Sequence, residues 1–317
     1  MKLSLKKVIS YMFLFASLVF LCYYIYEHFD DFKSLKLIKP VNFIYLLFLF
    51  LITTVNNGLT IKYILIPFQI RLSFKEWFGL STVTSMYNMI FPFKGGFAVK
   101  GFYLKKTYNF TYANFLSVVA GIYILNFFIA GLSGLICSFL VYFTYRIYSI
   151  SVILFFLILT LVFTLIIIFS PKLDIKSNKI INKIVEVING WHTLRQNKKY
   201  VFMFLFLISF QLFINALAIY VSFPIFGIKI DLIKSLYIAS ISIVGLIVQI
   251  TPSGLGVNEA LSIFAGMIVG MTPAQSLSVS ILNRIFGMVI NFSIGPIYTF
   301  ILFRKKKSSP QKNISSG

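Results

Sequence analysis

Six stretches of this chain, 8–26, 41–61, 113–145, 149–170, 200–223 and 274–303, stay apolar for about 20 residues or more. A helix of that length crosses a hydrocarbon core of about 30 Å, so each stretch is long enough to be a membrane span. The rest of the composition agrees, with 59% hydrophobic and only 12% charged residues, against about 25% charged in soluble domains. The fold class expected is therefore all-α: a polytopic membrane protein of about six transmembrane helices, forming one integral membrane domain over residues 1–317. The first run follows Lys2, Lys6 and Lys7 as a signal peptide would, but no small-residue cleavage site follows it, so it reads as a span.

Two further regions are too broken to be simple spans. Residues 77–106 carry Ser81, Thr82, Thr84, Ser85 and Asn88, then Pro92 and the pair Gly95-Gly96. Residues 232–271 run apolar to Ile250, meet Pro252, Gly254 and Gly256, and return through about eleven residues. At 1.5 Å per residue the returning arm covers roughly 17 Å, half of a hydrocarbon core. Both regions read as re-entrant helical hairpins. Irregular backbone at membrane depth survives only where protein or a wet cavity satisfies it, so the pair implies an internal cleft.

Charge placement orients the chain. The formal charge is +21, a figure that in a soluble protein points to nucleic acid, but here the basic residues sit between spans, and no nucleic-acid partner is expected. With the N-terminus inside, the cytoplasmic segments 1–7, 62–77, 94–106, 171–199 and 304–317 hold 22 Lys and Arg, and the external segments hold six. Positive loops stay inside, so the plasma (inner) membrane with both termini cytoplasmic is the expected localisation, and 304–317 is a basic tail. The same order contains a repeat, about 8–145 and 149–303. Pro92 and Gly96 match Pro252 and Gly256 at an offset of 160, and 111–118 matches 272–279 in five of eight positions. Three full spans per copy, an odd number, turn the second copy upside down, giving an inverted 3+3 repeat. Paired interrupted segments in such repeats point to a transporter-like site.

The candidate chemistry follows from charges in apolar surroundings. Arg284 lies ten residues into the last run, where one charge costs on the order of 2.5–3.5 kcal/mol. Glu259, just past the Gly break, is the acid that can pair with it. Lys94, Lys100, Lys105 and Lys106 flank the first break beside Gly95 and Gly96, a setting suited to a phosphate or lipid head group, and Tyr103 with Lys105 can line the same pocket. Residues 174–199 place Ile180, Ile184, Val187, Ile188 and Trp191 on one helical face, as an amphipathic helix on the inner leaflet would. His192 belongs to that helix, and His28 lies near Asp30 and Asp31. Cys22 and Cys137 sit in apolar runs without metal spacing. No metal, cofactor or catalytic motif is expected: GxSxG, HExxH, Walker A and GxGxxG are all missing.

At Pro252-Ser-Gly-Leu-Gly-Val-Asn-Glu259-Ala, with Asn283-Arg284 downstream, the sequence resembles the lysylphosphatidylglycerol synthase transmembrane-region family, also called the flippase-like domain family. Pro92-Phe-Lys94-Gly-Gly96 and Lys100-Gly-Phe-Tyr103-Leu-Lys-Lys106 are similar to its first-half motif. Phe97 stands where that motif has Glu, Lys94 and Lys100 stand where it has Arg, and 121–126 departs from its third-span charges. The resemblance implies binding or translocation of an anionic phospholipid or polyprenyl-linked lipid for cell-envelope biosynthesis, with Glu259, Arg284, Lys94, Lys100, Lys105 and Tyr103 at the head group. The synthases carry a further cytoplasmic domain; this chain ends at Gly317, after its last span, so the synthase activity is not expected. The alternatives are a membrane glycosyltransferase using a polyprenyl-phosphate sugar, with an acid from Glu27, Asp30 or Asp31, and a non-catalytic partner of an envelope-biosynthesis enzyme.

Overall fold

A computed structural model describes residues 39–169, 196–246 and 251–304, together with Tyr26, Val185, Asn189 and His192. The span expected at 8–26, the acids at 27–31, most of the inner-leaflet helix and the tail beyond Arg304 lie outside the described residues.

The described chain is helical, with no strand among the described residues. In order it runs α1 (Asn42–Leu65), α2 (Phe74–Ile90), α3 (Gly95–Tyr108), α4 (Tyr112–Tyr145), α5 (Ile150–Phe169), α6 (Lys198–Ser222), α7 (Leu232–Ser242), α8 (Val257–Ile268) and α9 (Pro273–Phe303). Five of these, α1, α4, α5, α6 and α9, are long and apolar enough to cross a membrane. The protein is therefore a polytopic membrane protein. The surface of α5 shows why water cannot be its solvent: Ile158 is 60% and Leu161 54% exposed. At 34 residues α4 is about 51 Å long, longer than a hydrocarbon core of about 30 Å. Gly134 lets α4 and α5 meet, since a Cβ there would lie 2.3 Å from the Phe156 ring. Small residues at such crossings admit close backbone approach.

Helix starts follow local chemistry. Ser73 opens α2 by donating its N–H (2.8 Å) and hydroxyl (2.7 Å) to Glu76. Asp231 accepts from the Lys234 N–H at the start of α7, and Thr111 and Thr272 cap α4 and α9 by accepting from Asn114 and Gln275.

The two interrupted regions are both helix–break–helix units whose arms pack on each other, α2 on α3 and α7 on α8. The apolar arm expected to reach Ile250 is shorter as α-helix: it ends at Ser242 and tightens to a 3-10 turn over Ile243–Leu246. Gly245 in that turn lies against α8, where a Cβ would sit 2.4 Å from Asn258 Oδ1. The breaks share a backbone course. Phe91 and Thr251 are extended, as the residue before proline must be. Phe93 and Ser253, 160 positions apart, both have φ 54°, and their neighbours Lys94 and Gly254 have 55° and 64°.

Helix packing is also paired. The contact of α1 with α2 is answered by α6 with α7, that of α9 with α2 by α4 with α7, and that of α9 with α1 by α4 with α6, while α1 packs on α6. These four contacts keep their partners when the two halves are exchanged. The halves differ at α3, which touches α4 far less than α8 touches α9, and at α6, which packs on α9 while α1 makes no comparable contact with α4.

Candidate functional site

Between the halves lies a cavity of about 600 Å³, walled by α1, α2, α4, α6, α7, α8, α9 and the first turns of α3. Its size suits a small ligand. More than half of the residues around it are polar, in a chain otherwise dominated by Phe, Leu and Ile. The charged residues among the described lining residues are Lys94 and Lys100, with no carboxylate.

Lys94 is placed by the break itself. Its left-handed backbone (φ 55°) follows Phe93 at 54°, a conformation that costs a non-glycine residue on the order of 1–3 kcal/mol. The side chain then reaches across the cavity, donating to the Tyr123 hydroxyl of α4 and to the Leu246 carbonyl at 3.0 Å. Lys94 therefore ties the first break to α4 and to the end of the second unit's first arm. Its ammonium also lies 4.2 Å from the Tyr123 ring centre.

Lys100 is different. It is 5% exposed, and its ammonium meets ring faces, Phe97 at 4.7 Å and Phe115 at 5.8 Å. Among the described residues it has no hydrogen-bond acceptor and no acid. The three-residue spacing sets Phe97 and Lys100 on one face of α3, and the Lys94 ammonium lies 5.7 Å from the same Phe97 ring. Cation–π contact recovers about 0.5–2 kcal/mol, well short of the several kcal/mol for desolvating an unpaired charge. Both cations thus converge on one ring beside the cavity. What they lack is an anion.

Glu259 and Arg284 form the ion pair expected of two lone opposite charges in apolar runs. Glu259 Oε1 accepts from Arg284 Nε at 2.8 Å and lies 2.5 Å from Nη2. The other carboxylate oxygen accepts from the Gly256 N–H at 2.7 Å, and Arg284 Nη1 reaches the Ser253 carbonyl at 3.5 Å. Glu259 is 1% exposed. The pair lies behind the second break, and the cavity wall there is Ser253, not either charge. Gly254 and Gly256, at φ 64° and 88°, provide turns that L side chains resist, and Pro252 opens the 3-10 turn before them.

The remaining expected residues divide. Gly96 binds the arms together: its N–H donates to Asn88 Oδ1 at 2.9 Å, and a Cβ there would lie 1.9 Å from the Thr84 carbonyl oxygen. Gly95 packs on Phe91, and Pro92 turns the chain between them. Tyr103 and Lys105 do not line the cavity. Tyr103 donates to Glu76 Oε1 at 2.9 Å, beside Tyr108 at 2.7 Å, and Lys105 is exposed over the Tyr112 ring at 4.5 Å. Burial raises the Glu76 pKa, but hydrogen bonds from Tyr108, Ser73 and Tyr103 outweigh it and hold the carboxyl below its ordinary value.

Sequence reasoning missed Gln211, Asn215 and Asn291 in the wall, and the Glu76 cluster. Carboxamides inside long apolar runs were the available signal for the first three. Ser73-x-x-Glu76, a capping-box spacing, was the signal for the last.

The family model described as lysylphosphatidylglycerol synthase TM region matches residues 7–295. The chain belongs to this family. Curated proteins and solved structures yield no match to it. As a member of the lysylphosphatidylglycerol synthase TM-region family it has a membrane flippase-like domain. Where the family motif sets Glu in the first half, Phe97 gives Lys94 and Lys100 a ring in place of a counter-ion.

Proposed function

We propose that this protein binds an anionic lipid head group in the cavity and carries it across the plasma (inner) membrane, with the acyl or isoprenoid chains left in the bilayer. The observation that carries the reading is Lys100, a buried cation at a polar cavity with no counter-ion among the described residues. A phosphate in the cavity supplies the missing partner, and charge-assisted bonds of this kind are the strong ones.

In this reading the broken units are re-entrant hairpins. Their arms, 11 and 12 residues for α7 and α8 and 17 and 14 for α2 and α3, are each shorter than the roughly 20 residues of a full crossing. The exchangeable neighbours and matching breaks support an inverted repeat with the site at its interface. Lys94 and Lys100 neutralise the phosphate. The Glu259–Arg284 pair, neutral as a unit, holds the second break in the shape that lines the cavity. Lys105, exposed on the last turn of α3, draws anionic lipid toward the protein, and Tyr103 fixes that helix to Glu76. Both termini face the cytoplasm, and the cargo serves the cell envelope.

Liposomes containing the purified protein and a fluorescent phosphatidylglycerol provide the test. Lys100→Gln is expected to reduce lipid translocation at least about tenfold, the worth of one hydrogen bond to a charged group. Unchanged translocation by this variant would remove the site.

A further inference from the structure

We infer that the cavity selects a phosphate ester whose other substituent is an uncharged, hydroxyl-rich group, such as glycerol, inositol or a hexose, and turns away head groups that carry an amine. This rests on the head-group reading above and narrows it.

The first observation is the sign of the wall. Its charged groups among the described lining residues are two ammonium ions, and the nearby Glu259 carboxylate is already shared between Arg284 and the Gly256 N–H. A third ammonium, brought in by an aminoacyl or ethanolamine head group, meets like charge and no carboxylate among the described lining residues, which is costly.

The second observation is what the rest of the wall offers. Asn57, Asn126, Gln211, Asn215, Asn283 and Asn291 bring carboxamides from α1, α4, α6 and α9. A carboxamide both donates and accepts without charge, which matches a hydroxyl, itself donor and acceptor. Several of these groups are uncommitted. Asn57 has no side-chain hydrogen bond among the described residues, and Asn126 and Asn291 each give one N–H to their own helix, at 2.8 and 2.7 Å. Two hydroxyls of lining residues, Thr84 Oγ1 on α2 and Ser276 Oγ on α9, are buried with no hydrogen-bond partner among the described residues. Buried polar atoms are normally satisfied, so these two orphans, on the packed neighbours α2 and α9, leave unused bonding capacity beside the cavity.

The full-length protein, purified in detergent, is mixed with equal amounts of phosphatidylglycerol and lysyl-phosphatidylglycerol, and bound lipid is counted by native mass spectrometry. The two lipids share the phosphate and glycerol and differ by the amine-bearing lysyl group. Phosphatidylglycerol is expected to be retained at least about tenfold more, and Lys100→Gln to weaken its retention by a similar factor. Asn57→Leu is expected to weaken phosphatidylglycerol while leaving phosphatidic acid, which has no polyol, within about twofold. Circular dichroism melting of each variant separates loss of site from loss of fold. Equal or preferred retention of lysyl-phosphatidylglycerol, or equal loss of both lipids in Asn57→Leu, overturns this inference and leaves the lipid reading in place. No retained lipid, with Lys100-dependent binding of glycerol 3-phosphate instead, overturns the lipid reading and upholds the chemistry with a water-soluble source.

Discussion

Lys100 and Arg284 are both cations at the protein's interior, yet their surroundings give them opposite expected behaviour. Arg284 is neutralised by Glu259, and removing one partner of such a pair strands the other, which costs about 3–5 kcal/mol. Arg284→Met is therefore expected to lower the melting temperature strongly, and the double variant Glu259→Gln with Arg284→Met to regain part of the loss. Lys100 has no counter-ion among the described residues, so Lys100→Met is expected to raise the melting temperature while ending lipid binding, a trade of function for stability. Thermal melts followed by circular dichroism, beside a lipid-retention assay, decide both. The Glu259–Arg284 pair was legible in the sequence because two opposite charges stood alone in apolar runs. Lys100 could not be told from Lys105, five residues on, since burial of one and exposure of the other depend on how α3 packs.

The elements were legible where single residues dictate backbone. Pro92 followed the end of α2 and Pro252 opened a 3-10 turn, and the glycines after them led into new helices. The left-handed residues Phe93, Lys94 and Ser253 gave no such signal, because their side chains do not favour that region; the packed arms impose it. Gly96→Ala is expected to part α2 from α3, since its Cβ would enter the Thr84 carbonyl, and to lower both expression and melting temperature; Gly270→Ala, with nothing within 4 Å but φ 85°, should cost only its backbone strain. At the start of α2, Glu76 titrates below its ordinary value. A carboxylate of lowered folded-state pKa stabilises above its unfolded pKa and loses that contribution as pH falls through the folded value. Melting temperature should thus fall on acidification below about pH 4.5, and Glu76→Gln should flatten that part of the profile. An unchanged acid limb in Glu76→Gln would assign the loss elsewhere.

For the whole molecule, hydropathy alone located the five described spans, because the bilayer fixes their length and admits little else. The cavity could be inferred from two interrupted segments, but its wall could not be drawn. Its residues come from helices more than 200 positions apart in sequence, Thr53 and Asn291 among them, and their convergence is a property of packing. The most direct measurement is an experimental structure of the protein in phosphatidylglycerol nanodiscs. A lipid phosphate is expected in the cavity, about 3 Å from the Lys100 ammonium. A cavity holding water alone, with Lys100 paired to a carboxylate of the protein, would contradict it.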